Sequence, residues 1–450
     1  MRVISLRPIT RYWRVLAFCW LLLLSACLTV FAASSVPEIG SEREFWVWDL
    51  NVMPPGFRRA TAVLQLSGSR SLIYVEKNFA SKELNSDYLR GLNNMLETSS
   101  PAGALISGTG VVPFEETYFG ALPKKAGEER LIVLFANLGK YKDHEFDGFF
   151  NAYDQLSEAE AQKEEQHSNE ANIIYINGFR RDEAYTNGVI AHELQHLLTY
   201  DPSGDTTKDT WLSETLAEGA MLATGHFSDQ LHVNQMAKSS GTAPLVSTTY
   251  VTYGIQLLFA SFLLDSNPGG IWNLSELSRM PLKGRDAVES LFSQRTGNPH
   301  SFDAIYSSFV SYLFNSANYG WSLPLSWDRP SKIGISVPPI ASYKTISAFP
   351  ANIDGWVFPY AFVTVDLPSE LPDSAKVTVD VIRPGPGQPE IAATSCARTA
   401  SALWKPVGKK RIAVYAVGCE PKSKQDMLHF RLIITDQTSP KAVSPSTLTD

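Results

Sequence analysis

Cysteine is nearly absent from this chain of 450 residues, which has 4, and Cys19 and Cys27 lie close to the N-terminus. The body keeps Cys396 and Cys419 alone, so it stands on an apolar core rather than on a disulfide framework. Positive charge is also short. The formal net charge is −7, and no basic stripe occurs outside the N-terminus, which argues against nucleic acid as a partner. No internal repeat is present, which argues against a solenoid or propeller. What the chain does have is 44% hydrophobic residues and enough length for two or three domains.

The N-terminus lacks acidic residues until Glu38, while Arg2, Arg7, Arg11 and Arg14 precede an apolar run from Val15 to Ala33. A basic segment followed by an apolar one is a signal sequence. Three readings of it compete. Leu24-Ser25-Ala26-Cys27 resembles a bacterial lipobox, in which Cys27 is the lipidation site. Ordinary cleavage near Val30-Phe31-Ala32 is the second. An uncleaved membrane anchor is the third, since the run is about long enough to span. All three export the body of the chain, so the expected location is the cell envelope or the medium. In that setting Cys396 and Cys419 are expected to pair, against the alternative of two free buried thiols.

The most informative stretch is Gly188-Val189-Ile190-Ala191-His192-Glu193-Leu194-Gln195-His196-Leu197-Leu198-Thr199-Tyr200. Its apolar residues Val189, Ile190, Leu194, Leu197 and Leu198 recur at helical spacing, and Thr186 or Asn187 is placed to cap the start. On such a helix His192 and His196, at i and i+4, lie one above the other on one face. Two neutral imidazoles so placed supply two corners of a tetrahedral Zn²⁺ site. Glu193 then reaches the open side of that site as a general base rather than as a ligand. The bland alternative is a helix with two solvent-facing histidines.

A second helix is expected over Thr210–Ala223, capped by Thr210 or Asp209 and closed by Gly225. Leu212, Leu216 and Ala223 point one way. Glu214 and Glu218 share another face at i, i+4, where two carboxylates repel unless a cation lies nearby. This makes Glu214 the third metal ligand. Glu218, one turn on, is placed to accept the free ring N–H of His192 or His196.

His192-Glu193-x-x-His196 followed by Ser213-Glu214-x-x-Ala217-Glu218 resembles the gluzincin metallopeptidases, the thermolysin-like superfamily. Their second helix carries Asn-Glu-x-x-x-Asp; here Ser213 stands for the Asn and Glu218 for the Asp. Asp147-Gly148-Phe149-Phe150-Asn151 and Ser168-Asn169-Glu170-Ala171-Asn172-Ile173-Ile174-Tyr175-Ile176-Asn177, ahead of the motif helix, look most like the hyicolysin-type secreted peptidases. The resemblance covers roughly residues 45 to 320. It implies a zincin fold, zinc as cofactor, a protein or peptide as substrate, and a tyrosine or histidine that stabilises the oxyanion. Tyr250 and Tyr253 are the best candidates for that role, with His226 and His232 as rivals; each also reads as ordinary packing material. His144, His167, His300 and His429 have no context that promotes them. The family's edge strand binds substrate backbone by β-augmentation, and Ile173-Ile174-Tyr175-Ile176 is either that strand or one deeper in the sheet. The Gly-x-Met-Glu-Asn motif of related aminopeptidases is missing, which favours an endopeptidase.

The expected class is α+β. A leader covers residues 1–33. A sheet-bearing lobe follows over 34–170, with strands at Glu44–Leu50, Ala60–Leu66, Ser71–Val75 and Arg130–Phe135 and a helix at Leu84–Leu96. The active-site and helical lobe covers 171–325, with helices at Tyr253–Leu264, Asp286–Gln294 and Phe302–Phe314. A proline-marked boundary leads to a small β-sandwich-like domain over 335–440, with strands at Trp356–Leu367, Ala375–Ile382, Ile412–Val417 and Leu428–Ile434. Two rival functions stand beside the endopeptidase. One is an aminopeptidase. The other is a surface-binding protein or adhesin acting through the C-terminal domain.

Overall fold

A computed structural model describes residues 37–436, apart from 78–83, 126, 142–143, 179–181, 202–208, 228–229, 248–251, 267–268, 316–320, 324–334, 338–340, 349, 369–374, 382–398, 408 and 419–426. Residues 1–33, expected from sequence to be a leader and including Cys27, lie outside the described residues, as do Tyr250, Cys396 and Cys419.

The chain is a mixed α+β structure in which a curled sheet backs a set of helices, followed by smaller sheets. The sheet is built from β1 (Glu42–Asp49), β2 (Gly56–Ser67), β3 (Ser71–Glu76), β4 (Leu131–Ala136), β5 (Gly148–Phe150) and β6 (Ile173–Asn177), in the order β1-β2-β3-β4-β6-β5. The β2–β3 hairpin turns where Ser67-Gly68-Ser69 predicts it, closed by a bond from the Gly68 N–H to the Ser71 carbonyl. β4 is parallel to both of its neighbours and every residue of it is buried. That two-sided burial is why its sequence is an unbroken apolar run rather than an alternation.

The sheet has two cores. Ile73, Val133, Phe135, Ile174 and Ile176 face the helices. Phe45, Val47, Leu64, Leu72, Tyr74, Leu134 and Tyr175 face the other way, inside the curl. The curl is tight enough that Trp48 of β1 meets Phe149 of β5, rings 6.3 Å apart, although these strands end the sheet on opposite sides. Asn169 clasps the gap. It accepts from the Trp46 N–H at 2.8 Å and donates to the Trp46 carbonyl at 2.9 Å, standing in for a neighbouring strand.

The helices are α1 (Ser86–Glu97), α2 (Val111–Phe119), α3 (Glu183–Thr199), α4 (Thr210–Thr224), α5 (Gln230–Ser239), α6 (Tyr253–Asp265), α7 (Ile271–Arg279), α8 (Gly284–Thr296) and α9 (Phe302–Asn315). α3 carries the His-Glu-x-x-His motif. It begins earlier than its apolar pattern predicts, and neither Thr186 nor Asn187 caps it. Asp182 does, accepting from the Tyr185 N–H at 2.6 Å. Thr186 lies inside the helix, where its hydroxyl donates back to the Asp182 carbonyl. Ile190, Leu194, Leu197 and Leu198 of α3 are buried, each contributing about 1.5–3 kcal/mol of burial. The motif therefore sits on a helix pinned from several sides. α4 begins after Asp209 and ends at Gly225, whose φ of +77° takes the left-handed conformation that closes a helix.

Ile173-Ile174-Tyr175-Ile176 is not the edge strand. It lies in β6, flanked by β4 and β5, and β5 is the edge on that side. The predicted strand Trp356–Leu367 is two strands, divided at Phe358–Ala361: β8 (Ala351–Val357) and β9 (Phe362–Asp366). With β7 (Ser342–Thr345), β10 (Ala375–Val381), β11 (Thr399–Val407), β12 (Lys409–Val417) and β13 (Leu428–Asp436) they form two sheets, β7-β9-β12-β11 and β8-β13-β10. Ile353, Val357, Val363, Val365, Val414, Phe430 and Leu432 fill a common core between them. Tyr360, Phe362 and Tyr415 instead join the core of the helices, so the C-terminal sheets and the helices share packing.

Candidate metal centre

α3 and α4 pack against each other and bring the predicted ligands together. His192 Nε2 lies 3.1 Å from His196 Nε2 and 3.1 Å from Glu214 Oε2, and His196 Nε2 lies 3.6 Å from Glu214 Oε2. Donors about 2.0–2.1 Å from a tetrahedral zinc ion are separated by roughly 3.3 Å. The three observed separations bracket that value, so the residues fit such an ion. Among the described residues this is the group of histidine, cysteine and acidic side chains that could hold one.

The far side of each imidazole is held by α4. Glu218 Oε1 lies 3.4 Å from His192 Nδ1, and Ser213 Oγ lies 3.2 Å from His196 Nδ1. A proton on each Nδ1 leaves the Nε2 lone pairs directed into the cluster. The spacing from Ser213 to Glu218 thus supports one histidine each, from a single helix. Of the two partners open to Glu218 from sequence, the structure selects His192.

The electrostatics are those of a site built for positive charge. Burial pulls the His192 pKa down, but hydrogen bonds to Glu214 and Glu218 and the charges of Glu193 and Glu214 overcome it and hold it well above the usual value. Burial pushes Glu214 up, and the two imidazoles more than reverse this, leaving it well below the usual carboxylate range. Burial raises the Glu193 pKa, with the charges of His192 and His196 opposing.

Edge strand β5, which ends at Phe150, packs against α3 beside the site. β5 can come so close to α3 because Gly148 has no side chain: a Cβ there would lie 2.8 Å from the Tyr175 carbonyl oxygen and 2.8 Å from Val189 Cγ1. The Phe150 ring packs edge-on against Tyr200, the residue that ends α3, at 5.7 Å.

Of the candidate oxyanion donors, Tyr253 begins α6 with its ring 6.3 Å from that of His192. His232, on α5, stacks on the Tyr253 ring at 5.3 Å. Gly254 permits this approach, since a Cβ there would meet the His232 carbonyl at 2.4 Å. Tyr253 and His232 therefore stand together beside the motif helix. His226 lies just past Gly225 at the end of α4, and burial pulls its pKa down to about 4. His167 stacks on Trp46 and His429 on Trp356, which are packing roles.

One residue of interest was not legible as such. Glu115 lies on α2, fully buried, with neither carboxylate oxygen hydrogen-bonded, and burial raises its pKa well above the usual value, with the charge of His192 opposing. The sign available was one acidic residue inside the apolar run Val111-Val112-Pro113-Phe114-Glu115. No family model matches the chain and no curated protein matches it, so the geometry of the His192–His196–Glu214 cluster carries the functional argument by itself.

Proposed function

We propose that this chain is an exported zinc metallopeptidase of the gluzincin type, cleaving within peptide chains, with Glu193 as general base. The observation that carries the reading is the convergence of His192, His196 and Glu214 at ligand spacing, with Glu193 beside them.

A zinc ion bound there supplies a Lewis acid that polarises a carbonyl and acidifies a water. Glu193 takes the proton from the attacking water and passes it to the leaving nitrogen, and its burial favours proton uptake. Ser213 and Glu218 keep the imidazoles in the ligating tautomer and orientation. Tyr253, with His232 stacked on it, is the donor for the developing oxyanion. The open side of β5 offers backbone groups that an extended peptide can pair with, next to Glu193. Lacking Gly-x-Met-Glu-Asn, the chain has no motif of that kind for holding a free N-terminus.

The test is casein cleavage by the mature protein, with and without chelator, beside a Glu193→Gln variant. Chelation is expected to abolish cleavage and zinc to restore it. The variant is expected to keep its zinc and lose at least about 100-fold in rate. A variant that cleaves as fast as the parent removes Glu193 as the base and the proposal with it.

A further inference from the structure

We infer that the C-terminal sheets set the position of the His232–Tyr253 pair beside the metal centre, with Gly241 and Tyr360 as positioning residues; this rests on the peptidase reading above. The pair joins two helices. His232 lies near the start of α5 and Tyr253 begins α6, with the rings stacked at 5.3 Å. Where the Tyr253 ring stands relative to His192 therefore depends on how α5 is seated. α5 has only 10 residues, a length that is marginal without anchoring from outside.

That anchoring comes from the C-terminal sheets and starts in the last turn of α5. The last four carbonyls of a helix have no partner within it, and that of Ala237 is one of them. It accepts from the Ala341 N–H at 2.7 Å, just ahead of β7. The Gly241 carbonyl accepts from the Phe358 N–H at 3.1 Å, and the Leu245 N–H donates to the Tyr360 carbonyl at 2.8 Å. These bonds lace residues 237–245 to the sheets. The approach is close because Gly241 has no side chain: a Cβ there would lie 2.5 Å from Val363 Cγ1 of β9. Tyr360 is fixed in turn. It is fully buried, its φ is +58°, and its N–H donates to the Ala416 carbonyl at 2.7 Å. A tyrosine keeps such a backbone conformation where its surroundings dictate it. Here its hydroxyl donates to Asp303 Oδ1 at 2.7 Å and accepts from Arg285 Nη1 at 3.1 Å and from the Gly418 N–H at 3.2 Å. Past Leu245 the chain is tied to α6, where Gln256 Nε2 donates to the Ser247 carbonyl at 2.9 Å. The sheets thus grip α5 at its end and reach α6 through Ser247.

The experiment compares Gly241→Ala, Gly241→Ala with Val363→Ala, and Tyr360→Phe. The control is Ile434→Ala, a truncation in the core of the same sheets, opposite Ala351 at the far end of β8. Each is prepared as the zinc-loaded mature chain. Three quantities are read: zinc content, kcat and KM on a peptide substrate, and the ring resonances of isotope-labelled His232, which the stacked Tyr253 ring displaces. They are assigned by their loss in His232→Gln. Gly241→Ala is expected to keep its zinc and its KM, to lower kcat about 10- to 100-fold, as a small misplacement near reacting atoms does, and to move the His232 resonances. Removing the Val363 methyls in the double variant makes room for the new Cβ and is expected to restore most of kcat. Tyr360→Phe is expected to change kcat and the resonances in the same direction by less, and Ile434→Ala to retain both. Parent kcat and parent His232 resonances in folded Gly241→Ala or Tyr360→Phe overturn the inference. So does a double variant that recovers nothing, or an Ile434→Ala variant as impaired as Gly241→Ala, because the effect is then general loss of packing. Tyr253→Phe is expected to lose about 100-fold in kcat. Parent kcat in that variant, or a parent chain without peptidase activity, overturns the functional reading instead; the His232 resonances need no turnover and test the link to the sheets separately.

Discussion

Replacing Glu115 by glutamine should make the protein more stable, and increasingly so as pH rises. Glu115 is fully buried on α2 and neither of its oxygens has a hydrogen-bond partner. Burial raises its pKa well above the usual carboxylate value, with His192 opposing. A carboxyl whose folded pKa is raised holds its proton in the native state at a pH where the unfolded chain has released it. Stability is therefore lost as pH climbs from the unfolded pKa, about 4.3, towards the folded one. Were the group to stay neutral up to pH 7, the loss reaches a ceiling of about 3–4 kcal/mol, from roughly 1.4 kcal/mol per pH unit. Local relaxation reduces this, and measured costs of unsatisfied buried groups are about 1–3 kcal/mol. Glutamine has the shape of the neutral acid and does not titrate. Urea unfolding of chelator-treated parent and Glu115→Gln proteins should thus coincide near pH 4.5 and separate by about 1–3 kcal/mol at pH 7.5. A separation independent of pH, or a less stable variant at pH 7.5, refutes the reasoning. Glu115 then carries a satisfied negative charge.

Two further predictions concern the metal centre. Glu214→Ala should lose zinc on dialysis, since it leaves a two-ligand site; full metal content after dialysis rejects Glu214 as a ligand. Ser213→Ala should still take up one zinc, but about 10-fold more weakly, measured by competition with a chromogenic chelator, because His196 Nδ1 loses its partner. An unchanged affinity shows that His196 is oriented by packing alone.

The centre was readable from sequence because helical spacing is rigid. His192 and His196 at i, i+4, and Ser213, Glu214 and Glu218 on the next helix, have their relative directions fixed by 3.6 residues per turn. The helix bounds at Tyr253–Leu264 and Phe302–Phe314 were legible for the same reason. The start of α3 was not, because its first turn runs ahead of the apolar pattern and depends on Asp182. α2, α5 and α7 are only 9 or 10 residues long, too short to stand out, although α7 carries Ile271, Leu274 and Leu277 at helical spacing. The edge position of β5 was hidden as well. It is set by which strand pairs with which, and the alternating pattern of a single strand says nothing about its neighbours.

The clasp at Asn169 also bears on how these molecules behave in company. An open sheet edge is a template on which another copy can add its own strand. β1 is such an edge, but at Trp46, midway along it, both backbone groups are already taken by one amide side chain. A second copy cannot extend an unbroken ladder past that point. The curled sheet thus discourages self-association along β1.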